Sequence, residues 1–451
     1  MTEPTSPPPR RRRTALSAAA TAALGVGLFL AGGLGLAPWP AAPAGQAPPP
    51  GAAPGGPAGA DELSTAITAL QDQLRRSPQD ATALATLGLE YVQQAKNTAD
   101  PTYYPKAEEA LQRSLALESA ENFTAMGAMA SLENGRHHFT QALDWARRAV
   151  AVNPYNSSLQ GTLADACTQL GRYAEAADAV QRMVDLRPGT PSLARASYVA
   201  ELRGDTDTAR EDMRRALQDA GGPADQAFAH YYLGELAFNS GDPATELQHA
   251  QAGLTVAPGY TALLAGKARA EAALGRTEAA LDDYRQAVQR VPQPEYLLQL
   301  GELYQSLGRT QEAEQQYQVF RAEERLLTVN GVTPDADAAL FEADHGDPAR
   351  ALAIARDGLR TRPFLDTHDA LGWALHAAGH DQEARAEADQ ALATGARNAL
   401  FHYHRAMIEA ALGDPTAEQA DLTRALSLNP HFSPLHAPEA HTTLTHLTTP
   451  A

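Results

Sequence analysis

The chain has 451 residues, enough for several domains or one long repeat array, and its abundance of Ala, Leu, Arg, Glu and Gln favours helix over sheet. Net charge is −18; residues 1–44 hold Glu3 and the four arginines Arg10 to Arg13 and so carry +3, which leaves −21 for the rest. A body that acidic repels phosphate backbones and argues against a nucleic-acid partner, and a lone Cys167 rules out an intrachain disulfide.

The first element is an address. The block RRRR at 10–13 precedes 24 uncharged residues, 14–37, whose only polar side chains are Thr and Ser. A cationic block before an apolar run keeps the N-terminus on the cytoplasmic side and sends the downstream chain across, and 24 residues can span a bilayer. Ala42-Pro43-Ala44 has the small-x-small form of a signal-peptidase site, so residues 1–44 read equally as a cleaved signal or a retained membrane anchor. The Pro/Ala/Gly stretch ending at residue 60 cannot bury enough apolar surface to fold, and 45–60 is expected to be a disordered linker. The body is then expected outside the cytoplasm.

From residue 61 the chain becomes periodic. Pro154 to Pro188 spans 34 residues, and Pro258 to Pro292 spans 34 again. Gly171, Gly204, Gly241, Gly275, Gly308, Gly346, Gly379 and Gly413 succeed one another at gaps of 33, 37, 34, 33, 38, 33 and 34. In the unit that starts at Pro154, Leu159, Leu163 and Ala166 share one helical face, Gly171 stops the first helix, and Ala176 on the second is small enough for close helix approach. Leu233-Gly234, Leu300-Gly301 and Leu371-Gly372 repeat the pattern. With this period, central Gly and terminal Pro, residues 61–430 resemble the tetratricopeptide-repeat family.

The resemblance implies an all-α fold, a right-handed α-solenoid of about ten helix-turn-helix repeats. The hairpins are expected to begin near 80, 121, 155, 189, 224, 259, 293, 334, 364 and 398, after a capping helix at 61–77. Three irregularities are expected: an insertion at 97–106, a long turn at 135–141, and a break at 326–334. Glu246 and Glu418 stand where a small Ala is expected, and Lys267 and Arg405 where Leu is expected, which predicts a frayed last repeat.

In this family the first helix of each pair lines a concave surface on which a peptide lies. Carried over by position, that surface holds Tyr198 and Glu201; Phe228, Tyr231, Glu235 and Phe238; Glu295, Glu302 and Gln305; Asp366, Asp369, Trp373 and His376; and Tyr403 and Met407. The partner-binding candidates are Tyr198, Phe228, Tyr231, Glu235, Phe238, Glu302, Trp373, His376 and Tyr403. Aromatic groups serve as interface hot spots, and the carboxylates favour a basic segment. Because an unpaired buried Glu235 would be costly, its stripe is expected to face the groove.

No Walker loop, nucleophile elbow, HExxH, CxxC or dinucleotide fingerprint occurs, and no motif calls for a cofactor. The expected function is a non-catalytic protein–protein interaction scaffold, anchored to a membrane through the N-terminal segment if that segment is retained. His431, His436, His441 and His446 recur every five residues in a Thr- and Pro-rich tail, 431–451, that reads as disordered. They raise one alternative, an exported Ni, Zn or Cu binder, although a five-residue step does not align side chains on one helix face.

Overall fold

The computed structural model describes residues 60–448 apart from 335, so the expected export segment and the linker up to residue 59 lie outside the described residues. Among the described residues every regular element is a helix, and none is long and apolar enough to cross a membrane. Helix α1 (Ala60–Arg76) precedes ten antiparallel hairpins. The first five are α2 (Ala81–Thr98) with α3 (Tyr103–Leu117), α4 (Phe123–Gly135) with α5 (Phe139–Val152), α6 (Ser157–Gln169) with α7 (Tyr173–Leu186), α8 (Thr190–Glu201) with α9 (Thr206–Gln218), and α10 (Pro223–Asn239) with α11 (Pro243–Val256). The second five are α12 (Thr261–Ala273) with α13 (Thr277–Arg290), α14 (Pro294–Ser306) with α15 (Thr310–Val329), α16 (Ala336–His345) with α17 (Pro348–Thr361), α18 (Leu365–Ala377) with α19 (Asp381–Ala391), and α20 (Ala399–Leu412) with α21 (Pro415–Leu428). A last helix, α22 (His436–Thr448), closes the array.

Local chemistry sets these boundaries. Asp242, Asp347 and Asp414 each accept a hydrogen bond from a first-turn amide, and each is followed by a proline at the first helical position. That pairing satisfies an otherwise orphan N–H and presets φ for the helix. Asn122, Asn156 and Asn398 cap α4, α6 and α20 in the same way. Ala176 is 1 % exposed and packs with Ala166 and Cys167, the close helix approach expected of it.

The three irregularities are absorbed differently from expectation. The insertion lengthens α2 to Thr98, and Ala99 takes a left-handed φ of 57° before α3 begins. The turn of the second hairpin is ordinary in length. His137, with φ 64°, stands in the left-handed place that Gly171 fills one repeat later with φ 65°. The break is a 20-residue α15 followed by a short link. Gly346 is the one ruler glycine outside the left-handed region.

The solenoid curls until it meets itself. The turn of the second hairpin touches the link after the seventh: the Thr333 amide donates to the Arg136 carbonyl at 3.2 Å, and His137 Nδ1 donates to the Thr333 carbonyl at 3.0 Å. The turn of the third meets the link after the eighth, where Arg362 Nε donates to Gln169 Oε1 at 2.6 Å and the Leu365 amide donates to the Tyr173 hydroxyl at 3.1 Å. Gly204 of the fourth lies against Gly395, and Gly241 of the fifth against Leu428 and Pro430. Each coil therefore rests on the next along one edge. Leu202, Phe364, Leu365, Ala391 and Phe401 form an apolar cluster across that seam.

The C-terminal tail is a correction. Its composition predicts disorder, but within the described residues 436–448 form α22, whose Ala437 and Ala440 are buried. Ala440, Leu444 and Leu447 pack with Trp373, Tyr403 and Leu422. The tail's few apolar residues recur at helical spacing, and that suffices because the last hairpin presents an apolar face that needs a cover. The last repeat is regular rather than frayed: Arg405 pairs with Asp421 at 2.8 Å and with Asp389 at 3.1 Å.

Candidate functional site

The first helices of the hairpins carry most of the candidate residues, which separate into a packed set and a half-buried set. Glu235 and Phe238 of α10 belong to the packed set, and both expectations are overturned. Glu235 is 8 % exposed, but it is not unpaired: Arg269 of α12 forms ion pairs with both Glu235 and Glu246, the latter at 2.5 Å. The Arg269 guanidinium also lies 4.3 Å from the Phe238 ring centroid. A delocalised guanidinium can bridge two carboxylates and an aromatic face at once, which offsets part of the burial penalty that would otherwise turn this stripe toward the groove. Glu246 fills the expected alanine position for the same reason, and burial still holds its carboxyl above the ordinary range.

Trp373 and Tyr403 are also core. Trp373 stacks on His404 with centroids 4.2 Å apart, and its indole N–H donates to Asp344 Oδ1 at 2.7 Å. His404 in turn lies 2.9 Å from Asp369 Oδ2, with both side chains buried. Tyr403 stacks on His436 at 4.9 Å and donates to Glu439 Oε2 at 2.8 Å. Residues of α22 cover both rings, so the misplacement of Trp373 and Tyr403 comes from treating the tail as disordered.

Tyr198, Phe228, Tyr231, Glu302 and His376 are half-buried. Phe228 and Tyr231 flank Tyr232, with centroids at 4.7 and 5.0 Å. Glu302 lies 3.5 Å from His345, and His376 Nδ1 lies 2.5 Å from Asp381 of the next helix. His376 and His380 fall on either side of Gly379, as the sequence implies. His431, His441 and His446 are exposed or half-buried, while His436 packs inward. Among the described residues no three His, Cys, Asp or Glu side chains converge to hold a metal ion.

Two further carboxylates, Glu201 and Glu295, give this face its electrostatic character. Glu201 is pushed up to about 7, by burial first and then by the charges of Glu235 and Asp366, against a hydrogen bond with Asn239. Glu295 is likewise pushed up to about 7, by burial and by Glu235, against the pull of Arg269 and a hydrogen bond with Gln299. Tyr198, Tyr231, Tyr232 and Tyr296 stand among them, each phenol raised well above its usual range by burial and neighbouring carboxylates. The face is not uniformly acidic: Arg195 holds Asp165 in a two-pronged pair at 2.8 and 2.9 Å, and Lys96, lowered to about 8 by burial, feels the same Asp165.

Sequence reasoning missed Arg269 and Tyr232. A signal for Arg269 existed: six residues before Gly275, it occupies the repeat position that Glu235 holds before Gly241 and Glu302 before Gly308. A charge of opposite sign at equivalent positions of stacked repeats marks a pair. Tyr232 carried no comparable signal.

The Tetratricopeptide repeat family model matches residues 128–191, 198–261 and 266–325. No curated protein matches the sequence. Among solved structures, the human IFIT1 dimer with PPP-AAAA is 13% identical, with 82% of this chain and 94% of that chain covered and a TM-score of 0.43. A tetratricopeptide repeat protein from Parabacteroides merdae is 19% identical, over 58% and 99%, with a TM-score of 0.34. Pseudomonas aeruginosa pilF is 16% identical, over 47% and 92%, with a TM-score of 0.36. At these identities and scores the neighbours say nothing about what this chain binds. Stacked helical hairpins of this kind act as protein–protein interaction scaffolds, because each repeat adds to one continuous surface. With its period, its turn glycines and its ten stacked hairpins, the chain carries tetratricopeptide repeats, and the family's model matches them at residues 128–191, 198–261 and 266–325.

Proposed function

We propose that the chain is a non-catalytic interaction scaffold of the cell envelope or extracellular space that receives an extended, basic peptide segment of a protein partner along its concave face. The observation that carries this reading is the set of half-buried carboxylates on first helices, Glu201, Glu295 and Glu302, interleaved with Tyr198, Tyr231 and Tyr232. Glu201 and Glu295, driven toward neutrality by burial and by the charge of Glu235, gain most from an incoming cation, and tyrosines offer contact area at low entropic cost. The order of the RRRR block and the apolar run supports the location, since it sends the body across a membrane.

Two measurements test this. A photo-crosslinker at Tyr231, compared with one at the exposed Tyr155 far along the array, should capture an envelope protein from the full chain expressed in cells. Protease protection should find residues beyond 60 outside the cytoplasm. Equal capture from both positions removes the concave-face reading, and a body shielded inside intact cells removes the location.

A further inference from the structure

The seam between the two coils follows a rule. The turn of hairpin 2 rests on the link after hairpin 7 through His137 and Thr333, and the turn of hairpin 3 on the link after hairpin 8 through Gly171 and Pro363. The turn of hairpin 4 meets the link after hairpin 9 through Gly204 and Gly395, and that of hairpin 5 the link after hairpin 10 through Gly241 and Pro430. Each turn thus meets the link five hairpins further along. Two edges lie outside this seam: the turns of hairpins 6 to 10, and the links after hairpins 1 to 5. Gly275, Gly308, Gly379 and Gly413, the left-handed glycines of the outer turns, have nothing within 4 Å of the place a Cβ would take.

These two edges carry most of the chain's exposed apolar bulk. Of nine large hydrophobic side chains exposed among the described residues, seven fall on them. Leu117, Val152, Tyr155, Leu186 and Val256 stand at the links, and Leu274 and Leu307 at the turns; the other two belong to α15. Surface hydrophobics scattered singly need no explanation, but a concentration on two matching edges does. Leu428 ends α21 as Val152 ends α5 and Val256 ends α11, yet Leu428 lies in the seam and is 3 % exposed, against 38 % and 36 %. The free edges also repeat the seam's sequences. Asn429-Pro430 and Arg362-Pro363 of the seam recur as Asn153-Pro154 and Arg187-Pro188, and Leu170-Gly171-Arg172 recurs as Leu274-Gly275-Arg276 and Leu307-Gly308-Arg309.

We propose that the free turn edge of one molecule docks on the free link edge of a second copy of this chain, repeating the internal seam between molecules. In that register Gly308 meets Pro154, Gly379 meets the Gly221-Gly222 link, and Gly413 meets Pro258 of the second copy. Arg276 faces Glu118 and Glu121, and Asp347 faces Arg187, which favours the register; Asp381 opposite Asp219 opposes it. The two edges are different surfaces of one molecule, so the contact is heterologous and leaves a free edge at each end. Association therefore continues into an open stack instead of stopping at a symmetric pair.

Sedimentation velocity on the full chain tests this, in a mild detergent so that the apolar run 14–37 does not itself drive association. The unaltered chain should grow past the dimer as concentration rises. A turn-edge variant, Leu274→Arg with Leu307→Arg, and a link-edge variant, Val152→Arg with Leu186→Arg, should each self-associate about tenfold or more weakly. Mixed in equal amounts, the two variants retain one intact edge of each kind and should form dimers and nothing larger, which also shows that both are folded. A photo-crosslinker at Tyr155 should trap a second copy of this chain. An unaltered chain that stays monomeric throughout overturns the proposal, as do variants that associate like it. A mixture that stays monomeric or grows past the dimer, or capture of only a different protein at Tyr155, overturns it as well.

Discussion

The α-carbon of Gly171 lies against the carbonyl of Pro363, in the link between the eighth and ninth hairpins, so closely that a Cβ there would enter the radius of that oxygen. Gly204 meets Gly395 in the same way, whereas Gly308 has the same left-handed φ with nothing near it. The two kinds of turn glycine therefore answer to different demands. Within one molecule Gly308 serves only its own turn, and Gly171 also lets one coil of the solenoid touch the next.

That difference is measurable. Asn tolerates the left-handed region, so Gly308→Asn should cost about 1 kcal/mol or less. Gly171→Asn should cost a further ~1–3 kcal/mol, because the side chain must displace a backbone carbonyl. Small-angle scattering should show a larger radius of gyration for Gly171→Asn only. Equal behaviour of the two variants in urea melts and in scattering would remove the seam.

Ala176→Leu overpacks the contact with Ala166 and Cys167 and should cost about 1–3 kcal/mol. Ala174→Leu, exposed at the start of the same helix, should be close to neutral. Matched thermal midpoints for the pair would mean that the repeat phase is misassigned.

Arg269→Met should destabilise by about 3–5 kcal/mol, since it strands Glu235 and Glu246 without their cation. Adding Glu235→Gln and Glu246→Gln to that variant should recover much of the loss. A triple variant no more stable than Arg269→Met would show that the network contributes through packing alone.

Trp373→Ala should cost about 3–5 kcal/mol rather than leave the fold untouched, because the ring is buried against His404 and beneath α22. Deleting residues 431–451 should uncover Trp373 and Tyr403 and raise binding of a hydrophobic dye. An unchanged melt for both variants would return Trp373 to the groove.

Docking of α22 should depend on pH through His436 and Asp344, which lie 3.7 Å apart. Burial alone would lower the His436 pKa, but Asp344, with Glu302 and Glu439 behind it, raises it overall. Its contribution is therefore complete below the ordinary histidine value and is lost as pH rises through the raised one. Burial would raise the Asp344 pKa, but His436, His404 and the Trp373 N–H lower it overall, so its contribution is lost as pH falls below the carboxylate range. The histidine His404, its partner Asp369 and the phenol of Tyr403 complete the set of groups that face this pair. Hydrogen exchange should find α22 best protected near pH 5–6 and less so at pH 8. Protection that rises steadily to pH 8 would contradict the pairing.

The repeat itself was legible from the sequence. Period, hairpin count and turn glycines are dictated by backbone chemistry within a few residues, and the ten hairpins begin close to where the spacing puts them. What lay beyond reach was every relationship spanning a repeat or more. Glu235 reads as too costly to bury until Arg269, one repeat on, is seen to hold it. Trp373 and Tyr403 read as free until α22 folds over them. The seam joins residues far apart in the chain, such as His137 and Thr333. The physical reason is that a repeat pattern states which residue types stack within a hairpin and against the next one. Whether a charge is buried or solvated, and whether a coil meets the one above it, depends on small rotations that accumulate over many repeats, and only the assembled structure sums them.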